Sequence, residues 1–172
     1  DNMELSLGCY SFWTFSDIFE ECGLKPPATF SEFETCLETL KKKGYTPLCL
    51  GGKFGWHLMR LVEALIEMEA GADVHDKLIL LEGDWTDEGV VRGFAKYKEF
   101  IDKGYFLDGF ISLDPTDMWN ILFSKKAIIT IEGPWAPTSM TLYEQKVDDY
   151  GYFKLPLSEK GNRISSFVEM AQ

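Results

Sequence analysis

Two histidines, His57 and His75, and four well-separated cysteines, Cys9, Cys22, Cys36 and Cys49, leave little material for a zinc site of the Cys/His type, and no C-x-x-C occurs. Basic residues are also scarce. Lys plus Arg is 17 against 28 Asp plus Glu, a net charge of −11, which excludes nucleic acid as a partner and an electrostatic anchor on anionic lipid. No apolar run reaches the roughly 18 residues of a membrane span, and no basic-apolar-small signal segment opens the chain. There is no G-x-S-x-G, and Gly51-Gly52-Lys53 lacks the Walker spacing and the Ser or Thr after the Lys. A nucleophile-and-base enzyme or a phosphate-loop enzyme therefore has little support. Carboxylate pairs such as Asp84 and Glu132 could serve a glycosidase, but with 28 acids in the chain such pairs arise by chance. No cofactor and no metal is expected.

What is present is a globular composition with 45% hydrophobic residues and enough length, 172 residues, for one domain with its own core. Residues 3–12 alternate apolar and polar and predict a strand. A short helix follows over about 15–22, stopped by Gly23. Thr29 and Glu32 form a capping box for a helix with Phe30, Phe33, Cys36, Leu37 and Leu40 on one stripe. Lys41 to Lys43 suit its negative end, and Gly44 stops it. Tyr45 to Leu50, with Pro47, predicts a short edge strand. Trp56 to Met68 is apolar on nearly every side and predicts a buried helix. Gly71 to Asp76 reads as a turn. A helix over 87–103, capped by Thr86, should bury Val90, Val91, Phe94, Tyr97, Phe100 and Ile101. Asp114-Pro115 opens another helix, Ala127 to Ile131 is a β-branched strand, and Gly133-Pro134-Trp135 turns into a last short helix before a strand at Tyr150 to Leu155. The sum is a layered α/β domain, helices packed around a small mixed sheet. The cysteines fall in separate elements and are expected to be unpaired and buried.

Aromatics make up 15% of the chain, so the question is which are core and which are site. Trp119 sits inside a helical stripe, as a core residue does. Trp56 follows Gly-Lys-Phe-Gly at a loop-to-helix junction, and Trp135 follows Glu-Gly-Pro at a strand-to-helix junction. Loops at the carboxyl ends of strands are where open α/β sheets bind ligands. An indole there can take the C–H face of a sugar, worth on the order of 2 kcal/mol per stacked ring. The residues alone leave open whether both indoles simply pack.

Four stretches, in order, resemble family 1 extracellular solute-binding proteins, the substrate-binding subunits of sugar ABC transporters. They are Gly23-Leu-Lys-Pro-Pro-Ala-Thr-Phe-Ser-Glu-Phe33; Lys43-Gly-Tyr-Thr-Pro-Leu-Cys-Leu-Gly-Gly-Lys-Phe-Gly-Trp56; Asp84-Trp-Thr-Asp87 through Lys103-Gly-Tyr-Phe106; and Phe123-Ser-Lys-Lys-Ala-Ile-Ile-Thr-Ile-Glu-Gly-Pro-Trp135. The family's usual Tyr-Asn before Lys-Asp is replaced by Thr14-Phe15-Ser16-Asp17, its Gly-Lys-Ala glycine by Lys125 and its Ala-Met pair by Ile128-Ile129. The resemblance implies one lobe of a type 2 periplasmic-binding fold, residues 1–172 being the second, C-terminal lobe of a two-lobed protein. It implies no catalysis, a mono- or oligosaccharide held in a cleft that closes like a jaw, delivery to a membrane permease, and an extracytoplasmic place for a chain whose signal segment lies outside it. The alternatives are another small solute, such as an amino acid, polyamine or metal complex, and a carbohydrate-active enzyme. By the resemblance Trp135 and Trp56 line the cleft, with Phe54, Glu132 and Tyr10 as further ligand-binding candidates, and Lys53 and His57 as weaker hydroxyl donors. An aromatic wall left open in a single lobe can also pair two copies.

Overall fold

The computed structural model describes the backbone of residues 4–154 and 166–171 and the side chains of residues 10–154. In chain order the elements are β1 (Glu4–Cys9), β2 (Ser11–Phe15), α1 (Ser16–Glu21), α2 (Phe30–Lys42), β3 (Thr46–Leu48), α3 (Trp56–Ala70), α4 (Ala72–Ile79), α5 (Glu88–Asp102), α6 (Pro115–Phe123), β4 (Ala127–Glu132), α7 (Ala136–Leu142), β5 (Tyr150–Lys154) and β6 (Ser166–Ala171). Leu155, the expected last residue of the strand from Tyr150, lies outside the described residues.

A four-stranded mixed sheet, ordered β3-β4-β2-β5, carries the core. β4 runs parallel to β3 and antiparallel to β2, and β2 is antiparallel to β5. β3 lies at the edge, as Pro47 requires. All six residues of β4 are buried, which suits a central strand read as an unbroken β-branched run. β1 and β6 form a separate antiparallel pair. The expected single strand over 3–12 is therefore two strands broken at Tyr10. At that break the chain passes from one sheet to the other, and an alternating pattern does not reveal such a change.

Local rules set α2. The Thr29 side chain accepts from the Glu32 N–H while the Glu32 carboxylate takes the Thr29 N–H, closing the capping box. Phe33, Cys36, Leu37 and Leu40 are buried beneath it. The ring of Phe33 lies 4.7 Å from Phe12, which stacks at 5.1 Å on Phe153, so α2 is tied to the sheet through three aromatics. Asp114 caps α6 by accepting the Thr116 N–H, with Pro115 at the first turn.

Three further expectations are corrected. The expected turn over Gly71 to Asp76 is instead the start of α4: Gly71, at φ 89°, ends α3 and starts α4 in one step. Asp87, not Thr86, caps α5; Thr86 donates to Asp84 instead. The inner face of α5 is rotated from the expected stripe. A Cβ on Gly89 would stand 2.5 Å from the Cα of Ala70, and one on Gly93 2.8 Å from the Cα of Ile66, so these glycines are where α5 meets α3. Val90 and Phe100 are buried, whereas Val91, Phe94 and Ile101 are exposed. Cys36 and Cys49 are buried free thiols, and Cys22 is free but only half-buried; the side chain of Cys9 lies outside the described residues.

Candidate functional site

β4 delivers Ile131 and Glu132 at its carboxyl end, and the chain turns through Gly133 to Trp135. The turn works because residue 133 has no side chain. A Cβ there would stand 2.5 Å from the Cη2 and Cζ3 atoms of Trp135, whose six-membered ring folds back over the glycine. In that pose the indole Nε1–H donates to Glu132 Oε2 at 2.7 Å.

The first turn of α3 faces this strand end. Trp56 and Arg60 are four residues apart and share a helix face. Arg60 Nη1 donates to Glu132 Oε2 at 2.7 Å and to the Ile131 carbonyl at 2.9 Å. The guanidinium carbon is 4.5 Å from the centre of the Trp56 ring, 5.2 Å from Trp135 and 4.8 Å from Tyr10. Tyr10 meets Trp135 edge-on, 6.2 Å between centroids. The loop before α3 is held by close approach: a Cβ on Gly51 would sit 2.8 Å from the Leu113 carbonyl, and one on Gly52 2.7 Å from the Cα of Ile111.

His57 lies wholly inside. Its Nδ1 accepts the Gly51 N–H at 3.2 Å, which leaves Nε2 to carry the proton toward the Ile131 carbonyl at 3.3 Å, with Glu132 Oε1 3.4 Å away. Burial, helped by the Arg60 charge, lowers its pKa to about 3. Burial pushes Glu132 the other way, upward, opposed by Arg60 and the Trp135 N–H. These directions give a test. The unfolded chain takes a proton on His57 below pH 6.5, while the folded protein resists until about 3. Stability from this group is intact above pH 6.5 and is lost as pH falls toward about 3, at about 1.4 kcal/mol per pH unit. Glu132, with a raised folded value, contributes a slope of opposite sign above its ordinary 4.5. In urea denaturation the stability of the parent relative to His57→Gln is expected to fall as pH is lowered from about 7 to about 5, a difference in which the Glu132 slope largely cancels.

Trp56 and Trp135 open on one groove of about 280 Å³, lined also by Pro115, Thr116, Trp119, Glu132 and Tyr143. Trp56 is 46% exposed. Trp119, expected in the core, is nearly buried yet contributes to the wall. Of the residues the sequence singled out, Trp135, Trp56, Glu132 and Tyr10 are brought together. Phe54 stands apart, 60% exposed under Lys53 Nζ, which ion-pairs with Asp114 at 3.0 Å. Glu132 is 2% exposed and its carboxylate is already engaged, so it orients Arg60 and Trp135. Sequence reasoning missed Arg60; its spacing from Trp56 was the available signal. Among the described residues no group of three or more His, Cys, Asp or Glu is gathered to hold a metal ion, and no helix is long and apolar enough to cross a membrane.

The small mixed sheet thus carries, at the end of β4, two indoles that open on one groove. The chain belongs to the bacterial extracellular solute-binding protein family, which it matches over residues 9–170. It is 35% identical over 111 residues to an uncharacterized ABC transporter extracellular-binding protein of Pyrococcus horikoshii, covering 63% of this chain and 26% of that protein. It is 25% identical over 166 residues to the alpha-glucosides-binding periplasmic protein AglE of Rhizobium meliloti, covering 91% and 36%. A solved chitin oligosaccharide binding protein superposes with a TM-score of 0.81 at 28% identity, covering 89% of this chain and 39% of that one. The chain thus spans between a quarter and two fifths of the length of these relatives.

Proposed function

We propose that this chain is the second, C-terminal lobe of a sugar-capturing ABC transporter subunit. It supplies one aromatic wall of an interlobe cleft and performs no catalysis. The observation that carries the reading is the pair of indoles, Trp56 and Trp135, opening on one groove at the carboxyl end of β4. The charges beside them are mutually satisfied: Arg60 is paired with Glu132, and Lys53 with Asp114. Such a wall offers ring faces more than charge, which suits the C–H face of a neutral saccharide. Relatives named for binding alpha-glucosides and chitin oligosaccharide support the same class. The protein would act outside the cytoplasmic membrane and hand its ligand to a permease. Phe54, exposed near the start of α3, would meet the ligand or the opposite lobe only on closure.

Titration of the chain with neutral oligosaccharides, amino acids and polyamines tests this directly. Saturable binding of at least one neutral saccharide, weakened by Trp135→Ala, is expected. Saturable binding of an amine or amino acid alone would overturn it. A jaw-type site encloses its ligand from two sides. The chain alone should therefore bind more weakly than the full two-lobed protein, by on the order of a hundredfold or more. Equal dissociation constants from calorimetry on both would show that this lobe carries a complete site.

A further inference from the structure

Three electron-rich rings from distant parts of the chain converge on one point: Tyr10 between β1 and β2, Trp56 at the start of α3 and Trp135 after β4. Together with a carboxylate, Glu132, on the same side, they form the kind of enclosure that captures quaternary ammonium and guanidinium solutes. Here the enclosure holds the protein's own cation. The Arg60 guanidinium is 8% exposed and stands 4.5 to 5.2 Å from all three ring centres. Its Nη1 edge is spent on Glu132 Oε2 at 2.7 Å and the Ile131 carbonyl at 2.9 Å.

We infer that Arg60 is a resident cation filling an aromatic cage, and that it sets the ligand class of the groove by excluding cationic solutes. Two consequences follow from the geometry. The guanidinium ties indoles on two separate elements to one charge, so the groove is pre-formed, not assembled on ligand binding. It also fills the cation-attracting space between the rings and Glu132, so a cationic solute finds that space already taken, while a neutral C–H face on the groove side of the indoles does not compete for it. Arg60 is a positioning and specificity residue; it acts through the rings. The exclusion of cations rests on the groove being the ligand site, whereas the filled cage stands without that reading.

Emptying the cage is the test. In Arg60→Ala, millimolar methylguanidinium should bind at least about tenfold more tightly than it does to the parent. It should also return the tryptophan emission toward the parent spectrum. Tetramethylammonium, which needs only the ring faces, should bind the variant as well. Should Arg60→Ala be unfolded on its own, methylguanidinium must refold it, because the ion replaces the missing group. The double variant Arg60→Ala/Glu132→Gln removes the stranded carboxylate and should still bind tetramethylammonium, with a smaller gain for methylguanidinium. A folded Arg60→Ala with no gain for either cation, or an unfolded one that methylguanidinium fails to restore, overturns the proposal. These readouts use no sugar, so a failure of the carbohydrate reading would appear separately, in the parent's titration with saccharides.

Discussion

Gly133→Ala is expected to dismantle the aromatic wall while leaving the sheet intact. The new Cβ would stand 2.5 Å from two carbons of the Trp135 six-membered ring, inside any tolerable contact. The ring must swing away, because the other party is the backbone of residue 133 at the end of β4. Swinging away breaks the 2.7 Å bond from Nε1 to Glu132 and withdraws the indole from Arg60. A stacked ring is worth on the order of 2 kcal/mol, so ligand affinity should fall by about thirtyfold or more. The fold should lose only about 1–3 kcal/mol, the usual range for an overpacked site. Near-ultraviolet circular dichroism and a ligand titration on the same sample check both halves. Unchanged aromatic ellipticity with full affinity would show that the indole needs no glycine beneath it.

Glu132→Ala should produce the larger loss of stability. It leaves Arg60 charged, 8% exposed and without its carboxylate, and breaking a buried pair from one side costs about 3–5 kcal/mol. The Trp135 N–H loses its acceptor in the same step, and the Nε2 side of His57 loses a facing carboxylate. Glu132→Gln keeps an oxygen for both donors and should cost distinctly less. Denaturant midpoints of the two variants check the order: Ala well below Gln, and Gln below the parent. Near-equal midpoints for Ala and parent would mean that Arg60 finds solvent or another partner.

Much of this fold is legible wherever a rule is local. The capping box at Thr29 and Glu32, the Asp114-Pro115 helix start, the Gly23 and Gly44 stops and the edge strand with Pro47 all depend on residues within a few positions of each other. The placement of the two indoles at helix starts was legible for the same reason, since the glycines before them mark loops. The polar heart of the site was not. Arg60 reaches Ile131 and Glu132 across more than seventy positions, and His57 spans a similar separation to Ile131. No spacing rule joins α3 to β4 before the fold is known, so a buried arginine on an apolar helix reads as a surface charge. Gly89 and Gly93 misled in the opposite sense. Hydrophobic periodicity scores bulky side chains, whereas the contact between α5 and α3 is made by their absence.

A neutral saccharide is expected to lie on the groove-facing sides of Trp56 and Trp135. The most direct test follows the indole Nε1–H resonances of the ¹⁵N-labelled chain, assigned with Trp56→Phe and Trp135→Phe, through a titration with a neutral oligosaccharide that binds it. Both resonances should shift along one saturating curve, those of Trp85 and Trp13 should stay in place, and losing either indole should weaken the curve. A saturating saccharide that leaves both Trp56 and Trp135 unmoved would contradict the account, because the ligand would then be held elsewhere on the domain.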